Sequence, residues 1–339
     1  MAFGPSVPDL RRHPACSASP WGAVMKSPGL VVASSLRAGG NPARDHFSNS
    51  LEGGHTMAGN SVYDIITAEI LQIMEQGVIP WQKPWGSKGA HRNLVSGKKY
   101  RGINIFLLSC AGFSSPWWLT YRQAQEKGGQ VRKGEKGKRI VFWKLQGRSD
   151  EAEAEERGPR LVPLLRYYTV FNLQQVEGIE VPSEPDEAQL DPIAGAEAVF
   201  QSMPNPPSLV FGDRAAYSPG RDRVIMPDLQ SFISSEEYYC ALFHELGHST
   251  GHQGRLNRKE ITNNIHFGSH DYSKEELVAE MTASFLCGEV GILPATVRNS
   301  AAYLQSWAAK FREDKKMVVC AAAAAQKAAD YILDRPGEE

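Results

Sequence analysis

His244-Glu245-Leu246-Gly247-His248 sets two imidazoles four residues apart, with a carboxylate directly after the first. On a helix, residues four apart lie one turn apart on the same face. His244 and His248 would then face one metal ion, with Glu245 beside them to take a proton from water. That is the kernel of a zinc peptidase site. It calls for one Zn2+ per chain and for Glu245 as general base and then acid. The bland alternative is a core helix whose two histidines are merely hydrogen-bonded. Context weighs against it, because Tyr238 to Phe243 lead in with helix-compatible residues and Gly251 and Gly254 follow as stop signals.

A catalytic zinc keeps three protein ligands and an open position, so a third ligand is required. His252 fails on geometry, since eight residues on from His244 it would lie ~12 Å along a continuous helix. The longer pattern HExxHxxGxxH is excluded as well, because Gly254 stands at its last position. An acid from a later helix remains. Glu276 and Glu280, four apart in the stretch Ser273 to Glu280, share one helical face. The expected arrangement has Glu276 on the metal and Glu280 accepting a hydrogen bond from a ligating histidine. Glu280 and Glu275 stay open as alternative ligands, and Ser273-x-x-Glu276 also reads as a capping box. Tyr217 and Tyr272 are candidates for stabilising an oxyanion, and nothing in the sequence chooses between them.

A second chemistry lies upstream. Between Lys83 and Arg148 fifteen lysines and arginines face only Glu126 and Glu135, a local excess hidden by the overall net charge of −1. Aromatics stand among them. Basic side chains neutralise phosphates and aromatic faces stack on unpaired bases, so single-stranded nucleic acid fits better than duplex. The expected contacts are Trp81, Trp85, Lys98, Lys99, Tyr100, Arg101, Trp118, Tyr121, Arg122, Arg132, Lys133, Lys136, Lys138 and Arg139. The competing explanation is a set of solvated lysines around aromatic core residues. This reading predicts salt-sensitive binding of single-stranded DNA by residues 57–180 alone.

These two chemistries need elements to carry them. A chain of 339 residues predicts about two domains. Residues 1–59, rich in Ser, Gly, Pro and Ala, read as a disordered extension, with Met57 as a possible natural start. Residues 60–181 form the expected single-stranded-DNA-binding domain. Within it, helices are predicted near Val62 to Met74 and Gly102 to Cys110, and β-type runs at 140–143 and 167–171. The acidic stretch Ser149 to Arg160 reads as an exposed hairpin loop. Residues 182–192, mixing Pro and acids, read as a linker. Residues 193–335 make a mostly helical domain: helix 194–203, two short strands at 209–211 and 223–226, the His244 helix, a polar loop from Asn257 to Tyr272, and helices at 274–287, 303–311 and 318–333. The fold class is therefore α+β, a small α+β domain followed by a helical metallopeptidase domain. Five scattered cysteines without a CxxC pair point to reduced thiols and a cytoplasmic location. No stretch has the length of a membrane span.

Taken together, residues 60 to 335 resemble the ArdC-type antirestriction proteins. The carrying residues are Ile79-Pro80-Trp81 with Pro84-Trp85, Tyr100-Arg101-Gly102-Ile103-Asn104, Trp118-Leu119-Thr120-Tyr121, Val131 to Gly137 and Val170-Phe171-Asn172, then Phe243 to His252 and Glu275 to Glu280. The first domain is similar to one shared with TraC-type plasmid primases. The resemblance implies protection of incoming DNA against restriction, a gluzincin-like fold, and Glu276 in the third-ligand place. A protein substrate such as a component of the restriction system is expected as a partner, and no membrane, given the lack of an apolar span. Two other functions compete: a DNA-binding interaction protein with a structural, non-proteolytic zinc fold, and a primase-associated protein of plasmid transfer.

Overall fold

The computed structural model describes residues 61–82, 90–148, 160–180, 182, 192–262, 269–292 and 301–336. The expected extension (1–59), most of the linker and most of the acidic loop lie outside them.

Helix α1 (Val62–Glu75) opens on a capping box in which Ser61 and Asp64 satisfy each other's backbone N–H groups. Ile66, Thr67, Ile70, Leu71 and Met74 form its buried face. After a 3-10 turn at Pro80–Gln82 come β1 (Arg92–Asn93), α2 (Ile103–Ser109), β2 (Trp117–Leu119) and α3 (Tyr121–Glu126). Then follow β3 (Gln130–Val131), β4 (Lys138–Arg148), β5 (Arg160–Asn172) and β6 (Val176–Glu177). β1, β2, β5 and β4 make one sheet in that order, while β3 pairs with β6. The β-type runs expected from sequence extend into a long hairpin, with β4 and β5 in register from Lys138↔Val170 to Arg148↔Arg160. β2 is buried at all three positions, which explains its two adjacent tryptophans.

The C-terminal half begins with α4 (Pro192–Ser202), then β7 (Ser208–Phe211), β8 (Ala216–Ser218) and β9 (Arg223–Met226), arranged β7-β9-β8. Next are α5 (Ser235–Ser249), the short α6 (Lys259–Thr262), α7 (His270–Val290), α8 (Ala301–Glu313) and α9 (Met317–Ile332). β8 escaped the sequence reading because three half-buried residues carry no readable alternation. α7 starts four residues earlier than expected. Its N-cap is Ser269, whose hydroxyl accepts from Tyr272 N–H. Ser273 therefore caps nothing, and Glu276 lies in the second turn, so the capping-box explanation of Glu276 falls.

One apolar core runs through both halves. It joins Ile66, Ile70, Trp81 and Phe106 to Phe243, Leu246, Phe285, Phe311 and Ala325. Phe106 stacks on Phe285 with ring centroids 4.9 Å apart, and Trp81 meets Trp307 and Phe311 edge-on. Polar ties cross the same boundary: Thr67 Oγ1 donates to Lys315 O at 2.7 Å, Gly102 N to Gln326 Oε1 at 2.9 Å, and Arg101 pairs with Asp330. The two sequence-defined domains share their interior.

Candidate metal centre

α5 places His244 and His248 on the face it turns toward α7. Ser234 caps its start, and Glu236 and Glu237 occupy its first turn, where acids suit the helix dipole. Gly247 sets how close α7 comes. A Cβ there would lie 3.1 Å from Ala279 Cα and 3.2 Å from Thr282 Cβ, so only a glycine fits without a shift.

That approach delivers Glu276. The two Nε2 atoms of His244 and His248 are 3.1 Å apart, and each lies 3.6 Å from a Glu276 carboxylate oxygen. Among the described residues, this is the set whose ligand atoms converge for a metal. Donors ~2.1 Å from a shared ion in tetrahedral array stand ~3.4 Å from one another, close to these distances, although the two 3.6 Å contacts run to different oxygens of Glu276. The charges within the cluster are strongly coupled. Burial alone would raise Glu276, yet hydrogen bonding to His244, the positive charge of both histidines and the Tyr272 hydroxyl hold its carboxyl at about 2. Burial would lower His248, yet the Glu275 hydrogen bond and the carboxylates of Glu276, Glu245 and Glu275 raise it to about 9. Glu245 is buried beside the triad, with Oε1 making no hydrogen bond among the described residues.

Glu280 does not take the place expected of it. Its carboxylate accepts from Trp81 Nε1 at 2.7 Å and from the Tyr303 hydroxyl. Burial pushes its carboxyl up, against those two hydrogen bonds. The partner of a ligating histidine is Glu275, whose Oε1 lies 3.3 Å from His248 Nδ1. Helical rotation is the reason. Adjacent residues point ~100° apart, so Glu275 and Glu276 address opposite nitrogens of His248, whereas Glu280 sits a full turn onward. Sequence reasoning missed this, and missed Arg258, which binds both Glu275 oxygens from the loop after α5. A lone arginine in a polar loop gives no local signal. Of the two tyrosines, Tyr272 lies one turn from Glu276 and is raised by burial, by Glu276 and by Glu245. Tyr217 instead donates to Asp222 at 2.8 Å, away from the triad.

The chain matches the family model described as the N-terminal domain of anti-restriction factor ArdC over residues 60–171, and a zincin-like metallopeptidase model over 195–324. It is similar to the crystal structure of the antirestriction ArdC protein from plasmid R388, metal-free, with 35% identity and a TM-score of 0.65, covering 80% of this chain and 97% of that one. It belongs to the ArdC antirestriction family. The same R388 protein has also been solved in a Mn(II)-bound structure, with 35% identity and a TM-score of 0.65, covering 81% of this chain and 98% of that one. An uncharacterised Sinorhizobium fredii protein, y4eC, is 34% identical over 284 residues, 80% of this chain and 91% of its own length. Escherichia coli DNA primase TraC is 35% identical over 289 residues. The chain spans only 20% and 27% of the two TraC proteins it matches.

The Mn(II) structure corrects the expectation of Zn2+. The ion held by that ArdC is manganese. The carboxylate oxygen of Glu276 is a donor that suits Mn(II).

The expected DNA contacts divide on burial. Trp81 is 1% exposed and Trp118 0%, so neither offers a face to a base. Trp118 instead donates from Nε1 to His91 Nδ1 at 3.1 Å. Arg101 is committed to Asp330, Tyr100 is half-buried against Asn93, and Lys138 is half-buried. Trp85 lies outside the described residues. Lys98, Lys99, Arg122, Arg132, Lys133, Lys136 and Arg139 are exposed, as is Tyr121 at 41%. The register puts Arg139 and Trp143 on the same sheet face as Tyr167 and Phe171. Arg139 lies over the Tyr167 ring, and Tyr121 meets Phe171 edge-on. Trp143, 46% exposed and one of the aromatics interleaved with the basic residues, stands on that side as well and tilts against Tyr63, while Val141 and Leu165 of the same side are buried in the core.

Proposed function

We propose that this chain is an antirestriction protein that binds single-stranded DNA through its N-terminal half and holds a divalent metal in its zincin-like half. The observation that carries the reading is the convergence of His244, His248 and Glu276 in a chain that covers nearly all of R388 ArdC. The DNA surface is the exposed set Tyr121, Arg122, Arg132, Lys133, Lys136, Arg139 and Trp143, with Lys98 and Lys99 on the turn after β1. Arginine and lysine there meet phosphates, and Tyr121 and Trp143 stack on bases. The test is fluorescence anisotropy of an oligothymidylate with the full chain over a salt series. Affinity should fall by a log slope of ~0.7 per phosphate neutralised. Salt-independent binding, or none at low salt, removes the reading.

Peptide hydrolysis is a second reading, favoured by the buried Glu245 oxygen beside the triad. A bound divalent ion supplies Lewis-acid polarisation of a carbonyl. Glu245 Oε1 would take a proton from attacking water and pass it to the leaving amine. Tyr272, coupled to Glu276 and Glu245, would donate to a developing oxyanion. The substrate would be a protein of the restriction machinery. Glu245→Gln should lose cleavage while binding Mn(II) as before, and cleavage retained in that variant sinks the hydrolytic role. If no cleavage is found in the wild-type chain either, the metal centre serves structure or binding. The primase activity named for TraC belongs to far longer proteins, and this chain carries no additional polymerase-type acidic motif.

A further inference from the structure

After α5 the chain turns back on itself. Gly251 makes this possible: a Cβ there would lie 2.5 Å from Ile261 Cγ1 and 3.1 Å from an Arg258 guanidinium nitrogen. Asn257 adopts a left-handed conformation at φ 49°, and Arg258 N–H then returns to Gly251 O at 3.0 Å. The result is a guanidinium inserted between α5 and α7. Its Nε donates to Glu275 Oε2 at 2.9 Å and one terminal nitrogen to Glu275 Oε1 at 2.6 Å. The same group reaches Gly247 O at 2.8 Å and Thr250 Oγ1 at 2.6 Å. Glu275, 4% exposed, leads on to His248 Nδ1.

We propose that Arg258 is a positioning residue for the metal: by gripping Glu275 in a two-point fork, it keeps the His248 proton on Nδ1 and Nε2 turned toward His244 and Glu276. The fork matters because a planar guanidinium fixes the carboxylate in orientation as well as in place. A carboxylate so fixed selects the ring tautomer and its angle. This rests on the reading of His244, His248 and Glu276 as ligands. The competing role is a purely structural one, in which Arg258 only staples the loop to Gly247 and Thr250.

The two roles separate in a double-mutant cycle on Mn(II) affinity, read from the electron paramagnetic resonance of free Mn(II) in titrations of the full-length chain. Arg258→Gln and Glu275→Gln should each weaken binding ~10–100-fold. Because one acts through the other, the double variant should be no weaker than Glu275→Gln. Thermal unfolding of each metal-free variant shows that it is folded. Should Arg258→Gln not fold, Arg258→Lys takes its place, keeping the charge but losing the fork, and the same weakening is expected. Wild-type affinity in the Arg258 variant, or losses that multiply in the double, overturns the proposal. His248→Ala separates this failure from that of the ligand assignment. If His248→Ala binds Mn(II) as wild type does, the triad itself is wrong and the proposal goes with it. If His248→Ala loses binding and Arg258→Gln does not, only the proposal falls.

Discussion

At the scale of single residues, chemistry is set by which polar groups are buried together. His91 is 2% exposed, accepts from Trp118 Nε1, and faces Ser109 Oγ at 3.2 Å through its other nitrogen. With Nδ1 used as an acceptor, the proton sits on Nε2 and the ring is neutral. Burial holds its pKa down at about 4, against an ordinary value of 6.5. The unfolded chain therefore takes up this proton first as pH falls. The stabilisation is whole above pH 6.5 and drains away toward pH 4, by roughly 3 kcal/mol at ~1.4 kcal/mol per pH unit. Chemical unfolding at a series of pH values should show this loss, and His91→Gln should flatten that part of the profile. An unchanged profile in the variant would mean that His91 is not the group responsible. Glu280 shows the same logic in a carboxyl group. It is spent on Trp81 and Tyr303, which is why a residue with ligand spacing is not a ligand here.

At the scale of elements, the metal centre is a property of the α5–α7 crossing. Two histidines on α5 are worth little until α7 brings Glu276 within 3.6 Å, and that distance depends on Gly247 lying against Ala279. Gly247→Ala should push the helices apart by a few tenths of an ångström or more. The expected destabilisation is ~1–3 kcal/mol, as for other overpacked interiors, with a larger proportional loss of Mn(II) binding. Calorimetric titration of the variant checks it, and unaltered Mn(II) affinity would show that the crossing has slack. On the sheet, Tyr121→Ala and Trp143→Ala should each weaken oligothymidylate binding by ~1–3 kcal/mol if each stacks on a base. Trp118→Phe should act on stability instead, since it loses the bond to His91.

At the scale of the whole molecule, the shared interior changes how the two halves are to be tested. α1, Trp81 and Phe106 bury their apolar faces against α7, α8 and α9. Residues 57–180 on their own would expose that surface and lose the ties to Lys315, Gln326 and Asp330. That segment is expected to be unfolded or aggregated by circular dichroism and size-exclusion chromatography. A cooperative unfolding transition in it would refute the dependence. The expectation that residues 57–180 bind DNA alone is what this experiment tests against the shared interior. Among the described residues, no helix is long and apolar enough to cross a membrane.

Local pattern alone determined a good deal: the His244/Glu245/His248 helix, the amphipathic α1, the β4–β5 pairing regions and the short list of Glu275, Glu276 and Glu280 for the third ligand. Each is written in spacing, because side chains one helical turn apart must share a face and alternating strand residues must share a side. Tertiary structure decided what spacing cannot encode. Trp81 and Trp118 read as stacking platforms until packing buried them, since an aromatic among lysines looks the same in a core as on a surface. Glu275, rather than Glu280, stands against His248 because the angle between neighbouring helical positions matters only once a second helix stands opposite. Arg258 reaches the metal centre through a loop that folds back, and the fusion of two sequence domains into one interior depends on contacts far apart in the chain. Such contacts leave no periodic trace for a reader of the sequence.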